Sequence, residues 1–311
     1  MRLKFHGCIA PIITPVDEHE NVDEKGFRAL LEWCVAGGLH GILVTGTNGE
    51  TMALTQKERL RAAKIAIDQI GGRIPVMAGC MDTSTRRVVE NIKAAQDAGV
   101  TCAAVTPVFY DRHTSQEETV RHFERILQET DIPELMIYNI PPFVGVKLAP
   151  KTIIEISKLD KRIVGVKDSS GDYTGFMELL HYFKGTDFAL LNGATPQAMS
   201  EILLGASGYL PSVAPCFPEL CSAAYEAAVA GDVQLVWEYD TLLRETSKIL
   251  GMSKNATASA KYAISLRGMT DKRVLWPQDA TTPEDEARIR AQVEKVDELY
   301  RQFKEAHAGQ S

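Results

Sequence analysis

Short apolar runs rich in β-branched residues alternate along this chain with longer stretches in which apolar residues recur every three or four positions. The short runs suit strands and the longer ones amphipathic helices. Predicted strands fall at 7–13, 40–44, 74–78, 102–106, 135–138, 163–166, 188–191 and 208–210, with helices at 24–36, 55–70, 85–98, 116–129, 150–159, 175–183 and 196–204. Regular alternation of this kind is the sequence sign of βαβ units and a parallel sheet. Eight strands separated by seven helices over about 210 residues predict an α/β fold of the (β/α)8 TIM-barrel type, whose usual length is about 250 residues. A doubly wound open sheet competes, but no GxGxxG follows the first strand and the repeat runs without a break. Thr55-Gln56-Lys57-Glu58 has the spacing of a capping box at a helix start. Beyond residue 215 the strand signals stop, and 218–230, 233–250, 255–267 and 283–308 all carry helical periodicity. The expected organisation is a barrel over 1–215 with a C-terminal helical extension, 216–311, packed on it.

With 311 residues, 45% hydrophobic and 24% charged, the chain can bury a large core. Its net charge of -7, without a basic stripe, argues against a nucleic-acid partner, because neutralising phosphates takes clustered Lys and Arg. No apolar run approaches the roughly 18 residues that suggest a spanning helix, so no membrane partner is expected. Met1-Arg2-Leu3-Lys4-Phe5-His6 enters a strand without a secretory apolar segment, which predicts a cytoplasmic location. The six cysteines (Cys8, Cys34, Cys80, Cys102, Cys216, Cys221) include no CxxC pair, favouring reduced, buried thiols over disulfides or a metal site.

Candidate chemistry gathers at strand ends. Ile163-Val164-Gly165-Val166-Lys167-Asp168-Ser169-Ser170-Gly171-Asp172 closes an apolar run on a lysine and then breaks into turn residues. At the carboxyl end of a barrel strand, such an amine occupies the face where these folds keep their chemistry. Apolar walls disfavour its charged form, which suits a carbonyl nucleophile and Schiff-base former. After the second strand, Gly46-Thr47-Asn48-Gly49-Glu50 can turn tightly and offer backbone N–H groups to a carboxylate, and it lacks the Gly-Lys-Ser/Thr ending of a nucleotide phosphate loop. Tyr138-Asn139-Ile140-Pro141-Pro142 places a phenol at the end of the fifth strand, where it could shuttle protons. On a barrel, these three strand ends point to one face.

With Pro11-Ile12-Ile13-Thr14-Pro15, Thr106-Pro107-Val108-Phe109-Tyr110 and Gly208-Tyr209-Leu210, these motifs resemble the dihydrodipicolinate synthase/N-acetylneuraminate lyase superfamily, the pyruvate-handling class I aldolases, over about residues 5 to 300. The resemblance implies a barrel with a helical C-terminal extension and a homo-oligomer, tetramer or dimer. It also implies a covalent imine on Lys167 with no metal or organic cofactor. Lys167 would form the imine with C2 of a 2-oxo acid, Tyr138 would move protons at the reacting oxygen, and Thr47 would hydrogen-bond Tyr138 and relay. Gly46 and Asn48 would help to bind the substrate carboxylate, and Gly193 and Leu210 would line the pyruvyl end. Tyr110 is similar to a tyrosine that in several members reaches into a neighbour's site, with Phe109 competing for the alignment.

Two positions depart from the lysine-pathway synthases. Phe143 stands where they usually carry an arginine for the second substrate's carboxylate, a contact that a phenyl ring cannot make. Lys167-Asp168-Ser169 looks more like 4-hydroxy-2-oxoglutarate aldolases and sugar-acid aldolases or dehydratases than the usual Lys-Glu-Ala. The expected activity is therefore cleavage or formation of a 4-hydroxy-2-oxo acid, giving pyruvate or a related 2-oxo acid plus an aldehyde. Dihydrodipicolinate synthesis and dehydration of a 2-oxo-3-deoxy sugar acid are the alternatives within imine chemistry, and a non-catalytic 2-oxo acid binding barrel is the one outside it. Asp82, Arg86, Arg112, His113 and Phe143 are the loop residues available to the distal half of the substrate.

Overall fold

The computed structural model of the protein describes residues 4–110 and 115–308, so Arg112 and His113 lie outside the described residues. Eight parallel strands close into a barrel in sequence order: β1 (Gly7–Pro11), β2 (Gly41–Val44), β3 (Val76–Gly79), β4 (Cys102–Val105), β5 (Glu134–Asn139), β6 (Ile163–Asp168), β7 (Ala189–Asn192) and β8 (Gly208–Tyr209). Around it lie α1 (Glu24–Ala36), α2 (Gln56–Ile70), α3 (Thr85–Asp97), α4 (Gln116–Glu129), α5 (Pro141–Val144), α6 (Pro150–Ser157), α7 (Tyr173–Phe183) and α8 (Thr195–Leu203). The extension follows as α9 (Pro218–Ala230), α10 (Val233–Ser247), α11 (Ala256–Ser265) and α12 (Pro283–His307).

Strand alternation divides the core into two layers. Ile9, Leu43, Met77, Cys102, Ala104, Met136 and Leu191 fill the barrel with Phe5, Ala189 and Leu210. Their neighbours Ala10, Ile42, Val44, Ala78, Ala103, Ile137, Val166 and Leu190 pack against the helices. Each large apolar side chain buried this way contributes about 1.5–3 kcal/mol, and truncating one such as Leu43 to alanine costs about 2–5 kcal/mol. Closure depends on glycine: Gly7 pairs with Gly208, and a Cβ on Gly208 would lie 2.1 Å from the Gly7 carbonyl oxygen. The extension is tied to the seam by the Tyr209 hydroxyl, which donates to the Cys221 carbonyl of α9 at 2.7 Å.

Helix starts follow the local signals, with one exception. Asp23, Ser84 and Asp172 accept N–H bonds at the starts of α1, α3 and α7, and Ser115 with Glu118 forms a complete capping box on α4. The box expected at Thr55 is half formed. Thr55 accepts from the Glu58 N–H at 3.3 Å, but the Glu58 carboxylate turns away to accept from Val22 N–H at 2.7 Å. The helix predicted at 233–250 also stops early, because Thr246 and Ser247 hydroxyls both bond back to the Leu243 carbonyl and the chain tightens into a 3-10 turn, Lys248–Gly251. The short α5 was not anticipated; Pro141 and Pro142 start it and Gly145, at φ 73, ends it. All six cysteines are free and buried, and burial pushes the Cys80 thiol up to about 12, which makes it unreactive. Among the described residues, no helix is long and apolar enough to cross a membrane.

Candidate active site

β6 runs two residues further than its apolar pattern predicts, so Lys167 lies inside the strand and Asp168 ends it. The register also contains an irregularity: Leu135 pairs with Ile163, but Met136 pairs with Gly165, so β6 carries one extra residue there. Without that residue Tyr138 would face Val166. With it, Tyr138 faces Lys167, and both side chains enter the barrel mouth. Glycine is required at the bulge, since a Cβ on Gly165 would lie 2.4 Å from the Ala189 carbonyl oxygen.

The lysine is 5% exposed and the tyrosine 2%. Lys167 Nζ donates to the Tyr138 hydroxyl at 2.9 Å and lies 4.0 Å from the centre of its ring. Thr47 Oγ1 is 3.3 Å from the same phenol oxygen. An amine, a phenol and an alcohol thus form one hydrogen-bonded line from β6 through β5 to the loop after β2. Such a line can carry a proton to or from a group covalently held by the amine.

The loop bearing Thr47 is closed on itself. Gly49 and Thr51 N–H groups donate to the Gly46 carbonyl at 3.1 and 3.3 Å, and Glu50 N–H donates to Thr47 O at 3.0 Å. The N–H groups of Thr47 and Asn48 have no backbone acceptor among the described residues. The Asn48 side chain is engaged elsewhere: its Nδ2 donates to the carbonyls of Pro11 at 3.2 Å and Ser212 at 3.4 Å, bridging the end of β1 and the loop after β8.

Other expected residues separate into lining, packing and rim. Gly193 donates to the Asp168 carbonyl at 2.7 Å, and a Cβ there would lie 2.0 Å from Ser169 Oγ. Leu210 is buried in the barrel interior. Phe143 is 68% exposed at the rim. Of the two aromatics competing in one motif, Phe109 packs against Met81, Tyr138, Ile140, Val144 and Val146, whereas Tyr110 is 95% exposed with φ 80. Asp82 is held by Arg87 at 2.7 Å and by Asn91 at 3.2 Å on α3, and Arg86 pairs with Glu90 on the surface.

Sequence reasoning missed the polar layer behind the strands. Asn139 and Asp168, which immediately follow Tyr138 and Lys167, point outward and bond at 2.9 Å. Nearby, burial pushes the Glu201 carboxyl up to about 7, against a 2.5 Å hydrogen bond from Asn192, with the charge of Asp168 adding to the rise. Period-two alternation would have found the outward pair. The Glu201 contact joins α8 to β7 and leaves no local pattern.

A (β/α)8 barrel with a lysine buried on a phenol at its strand ends is the architecture of a Schiff-base aldolase or lyase. The comparisons bear this out. The profile of the Dihydrodipicolinate synthetase family matches residues 4–296, and the chain belongs to that family. It is 33% identical over 291 residues to a 4-hydroxy-tetrahydrodipicolinate synthase of Thermus thermophilus, covering 94% of this chain and 96% of the relative. The corresponding synthase of Agrobacterium fabrum is 33% identical over 288 residues, covering 92% and 97%. Among solved structures, dihydrodipicolinate synthase from Aquifex aeolicus matches with TM-score 0.88 and 29% identity, covering 94% of this chain and 98% of that one. A prophage protein of the same family from E. coli, in complex with pyruvate, matches with TM-score 0.89 and 26% identity, covering 94% and 99%. The chain is thus a pyruvate-dependent Schiff-base enzyme, whose family chemistry uses a covalent lysine imine without metal or organic cofactor. The relatives favour the synthase alternative over the cleavage of a 4-hydroxy-2-oxo acid expected from Phe143 and Lys167-Asp168-Ser169.

Proposed function

We propose that Lys167 forms an imine with C2 of pyruvate and that the resulting enamine is joined to an aldehyde at C3, as in 4-hydroxy-tetrahydrodipicolinate synthesis. The observation that carries this is the buried line from Lys167 Nζ through the Tyr138 hydroxyl to Thr47 Oγ1. The amine, free of its proton, attacks the keto carbon, and water leaves as the imine forms. Loss of a C3 proton gives the enamine, which attacks the aldehyde carbon. Tyr138 supplies the proton to the new alkoxide and Thr47 relays it, and hydrolysis of the imine frees the lysine.

The pyruvate carboxylate takes the N–H groups of Thr47 and Asn48 at the Gly46 turn, while Gly193 and Leu210 bound the other side of the three-carbon unit. Tyr110, exposed at the rim, serves a contact between subunits of a cytoplasmic homo-oligomer. A second reading, reversible cleavage of a 4-hydroxy-2-oxo acid, is favoured by Phe143, which offers the distal half no carboxylate partner. Both share every step at the lysine and differ only in the aldehyde.

The test is borohydride reduction in the presence of pyruvate. A reduced three-carbon adduct should map to Lys167, and Lys167→Ala should lose adduct and turnover while keeping the fold. An adduct on another lysine, or none, sinks the mechanism. Aspartate semialdehyde measured beside 4-hydroxy-2-oxoglutarate and 2-oxo-3-deoxygluconate then separates the two readings by kcat/KM.

A further inference from the structure

Lys261 in α11 is a wholly buried lysine that the proposed chemistry does not use. Its Nζ forms an ion pair with the Glu50 carboxylate, both side chains being 0% exposed, and donates to the Arg273 carbonyl at 2.8 Å. The other Glu50 oxygen accepts from the Leu275 N–H at 2.8 Å. Glu50 ends the loop that presents Thr47. It takes the left-handed conformation, φ 55, without being glycine, and its own N–H donates to the Thr47 carbonyl. From the barrel side, Thr14 Oγ1 donates to the adjoining Gly49 carbonyl at 2.8 Å.

A buried ion pair is an inefficient way to gain stability, because removing both charges from water offsets most of their attraction and an apolar pair of the same volume often does as well. What it supplies is direction: an ammonium set between the Glu50 carboxylate and the Arg273 carbonyl, and a carboxylate set between that ammonium and the Leu275 N–H, restrict the placement of Glu50. A residue held in a disfavoured backbone conformation persists only when its surroundings determine it from several sides, and three of the groups around Glu50, from Lys261, Arg273 and Leu275, belong to the C-terminal extension. One hydrogen bond further along is Thr47, whose hydroxyl must stay within reach of Tyr138.

We propose that Lys261 and Glu50 are positioning residues for Thr47, so that the C-terminal extension aligns the proton relay and does more than cover the barrel. This rests on the reading of Lys167, Tyr138 and Thr47 given above. If it holds, kcat depends on the ion pair through Thr47, whereas imine formation at Lys167 survives its loss at saturating pyruvate, the shared N–H groups of the turn raising only the pyruvate KM.

The experiment uses the full chain. The pyruvate adduct on Lys167 is first trapped in the wild-type protein; its absence sinks the imine reading itself and is recorded before any variant is made. Lys261→Met, and the charge-free pair Glu50→Gln with Lys261→Met, are then checked for folding by circular dichroism. The second variant leaves no unpaired buried charge. Each is expected to lose about 10- to 100-fold in kcat, the scale of a misplacement of the order of an ångström, with the pyruvate adduct still formed. The deciding readout is a double-mutant cycle: in a Thr47→Val background the same changes should have little further effect, because the group they align is gone. Losses that multiply in that background, an unchanged kcat, or failure of both variants to fold would each overturn the proposal and leave the pair a purely structural device.

Discussion

Replacing Tyr138 with phenylalanine removes one oxygen and leaves the ring on which the lysine sits, so the change isolates the hydroxyl. That oxygen accepts from Lys167 Nζ at 2.9 Å and lies 3.3 Å from Thr47 Oγ1. A hydrogen bond between uncharged partners contributes about 0.5–1.5 kcal/mol net, so losing it should slow placement of the amine by roughly 2- to 13-fold. Proton transfer by a positioned acid or base contributes about 10²- to 10⁴-fold. One oxygen serves both roles, so the effects overlap, and the expected loss in turnover is about 10²- to 10⁴-fold in total, with the smaller factor seen on imine formation alone. Quenching with borohydride at successive times after mixing with pyruvate reads the imine step, and a coupled assay with saturating aldehyde reads turnover. The tyrosine is 2% exposed inside an apolar cluster, so the phenyl ring should hold its place, and the buried amine left without its acceptor should cost no more than about 1–3 kcal/mol on thermal unfolding. Turnover near the wild-type rate would refute the relay and return Tyr138 to a packing role.

At the rim, Phe143→Arg restores a cation where the synthases usually have one; at a position 68% exposed, it should raise kcat/KM for an aldehyde bearing a carboxylate by about tenfold, the low end for a charge-assisted contact. No gain with aspartate semialdehyde would show that the arginine's work is done elsewhere. Gly165→Ala puts a Cβ 2.4 Å from the Ala189 carbonyl oxygen, which should cost about 1–3 kcal/mol on thermal unfolding and reduce adduct formation by turning Lys167. A variant as stable and active as the parent would contradict the role of the bulge. Burial holds the His122 imidazole down at about 4, from 6.5, so the unfolded chain binds the extra proton between those values. Its contribution is complete above pH 6.5 and is lost as pH falls through about 4, amounting to at most about 3 kcal/mol. His122→Asn should therefore flatten the fall in thermal stability between pH 6.5 and 4, and an unchanged acid slope would show that other groups set it.

The barrel was legible because its two periods are: strand runs alternate with amphipathic helices, and every expected strand is present within a few residues. The candidate groups were legible because a lysine, a tyrosine and a threonine each stand at a strand end or in the loop after it, and the structure brings the three within hydrogen-bond reach. Their alignment was not. A strict two-residue period through 163–168 sets Val166 opposite Tyr138, and only the extra residue beside Gly165 corrects it. The half-formed box at Thr55 failed for a similar reason, since its glutamate found a better partner in Val22, far away in sequence. The link between Glu50 and Lys261 spans most of the chain and leaves no mark on either local pattern. Phe109 and Tyr110 were separable only by their surroundings, one packed on the apolar cluster that includes Tyr138 and the other in solvent.

The two strands that carry Tyr138 and Lys167 also fix the loops on which Phe143 and Ser170 lie. Tyr138 and Lys167 point into the barrel, so their successors Asn139 and Asp168 must point out of it. Joined to each other at 2.9 Å, these two reach in both directions: Asp168 Oδ1 accepts from Ser170 N–H at 2.7 Å, and Asn139 Oδ1 accepts from Leu148 N–H at 3.1 Å. Ser170 lies in the loop after β6, and Leu148 closes the segment that starts at α5 and carries Phe143. On the proposed mechanism, a change of aldehyde can therefore be accommodated by residues on these loops while the imine chemistry stays fixed, because the loops are anchored on the face of the strands opposite Tyr138 and Lys167. Asp168, Ser169 and Phe143 each belong to the anchoring face or to a loop held by it, so on the proposed mechanism they can be exchanged to suit another aldehyde without disturbing the hydrogen bonds from Lys167 to Thr47.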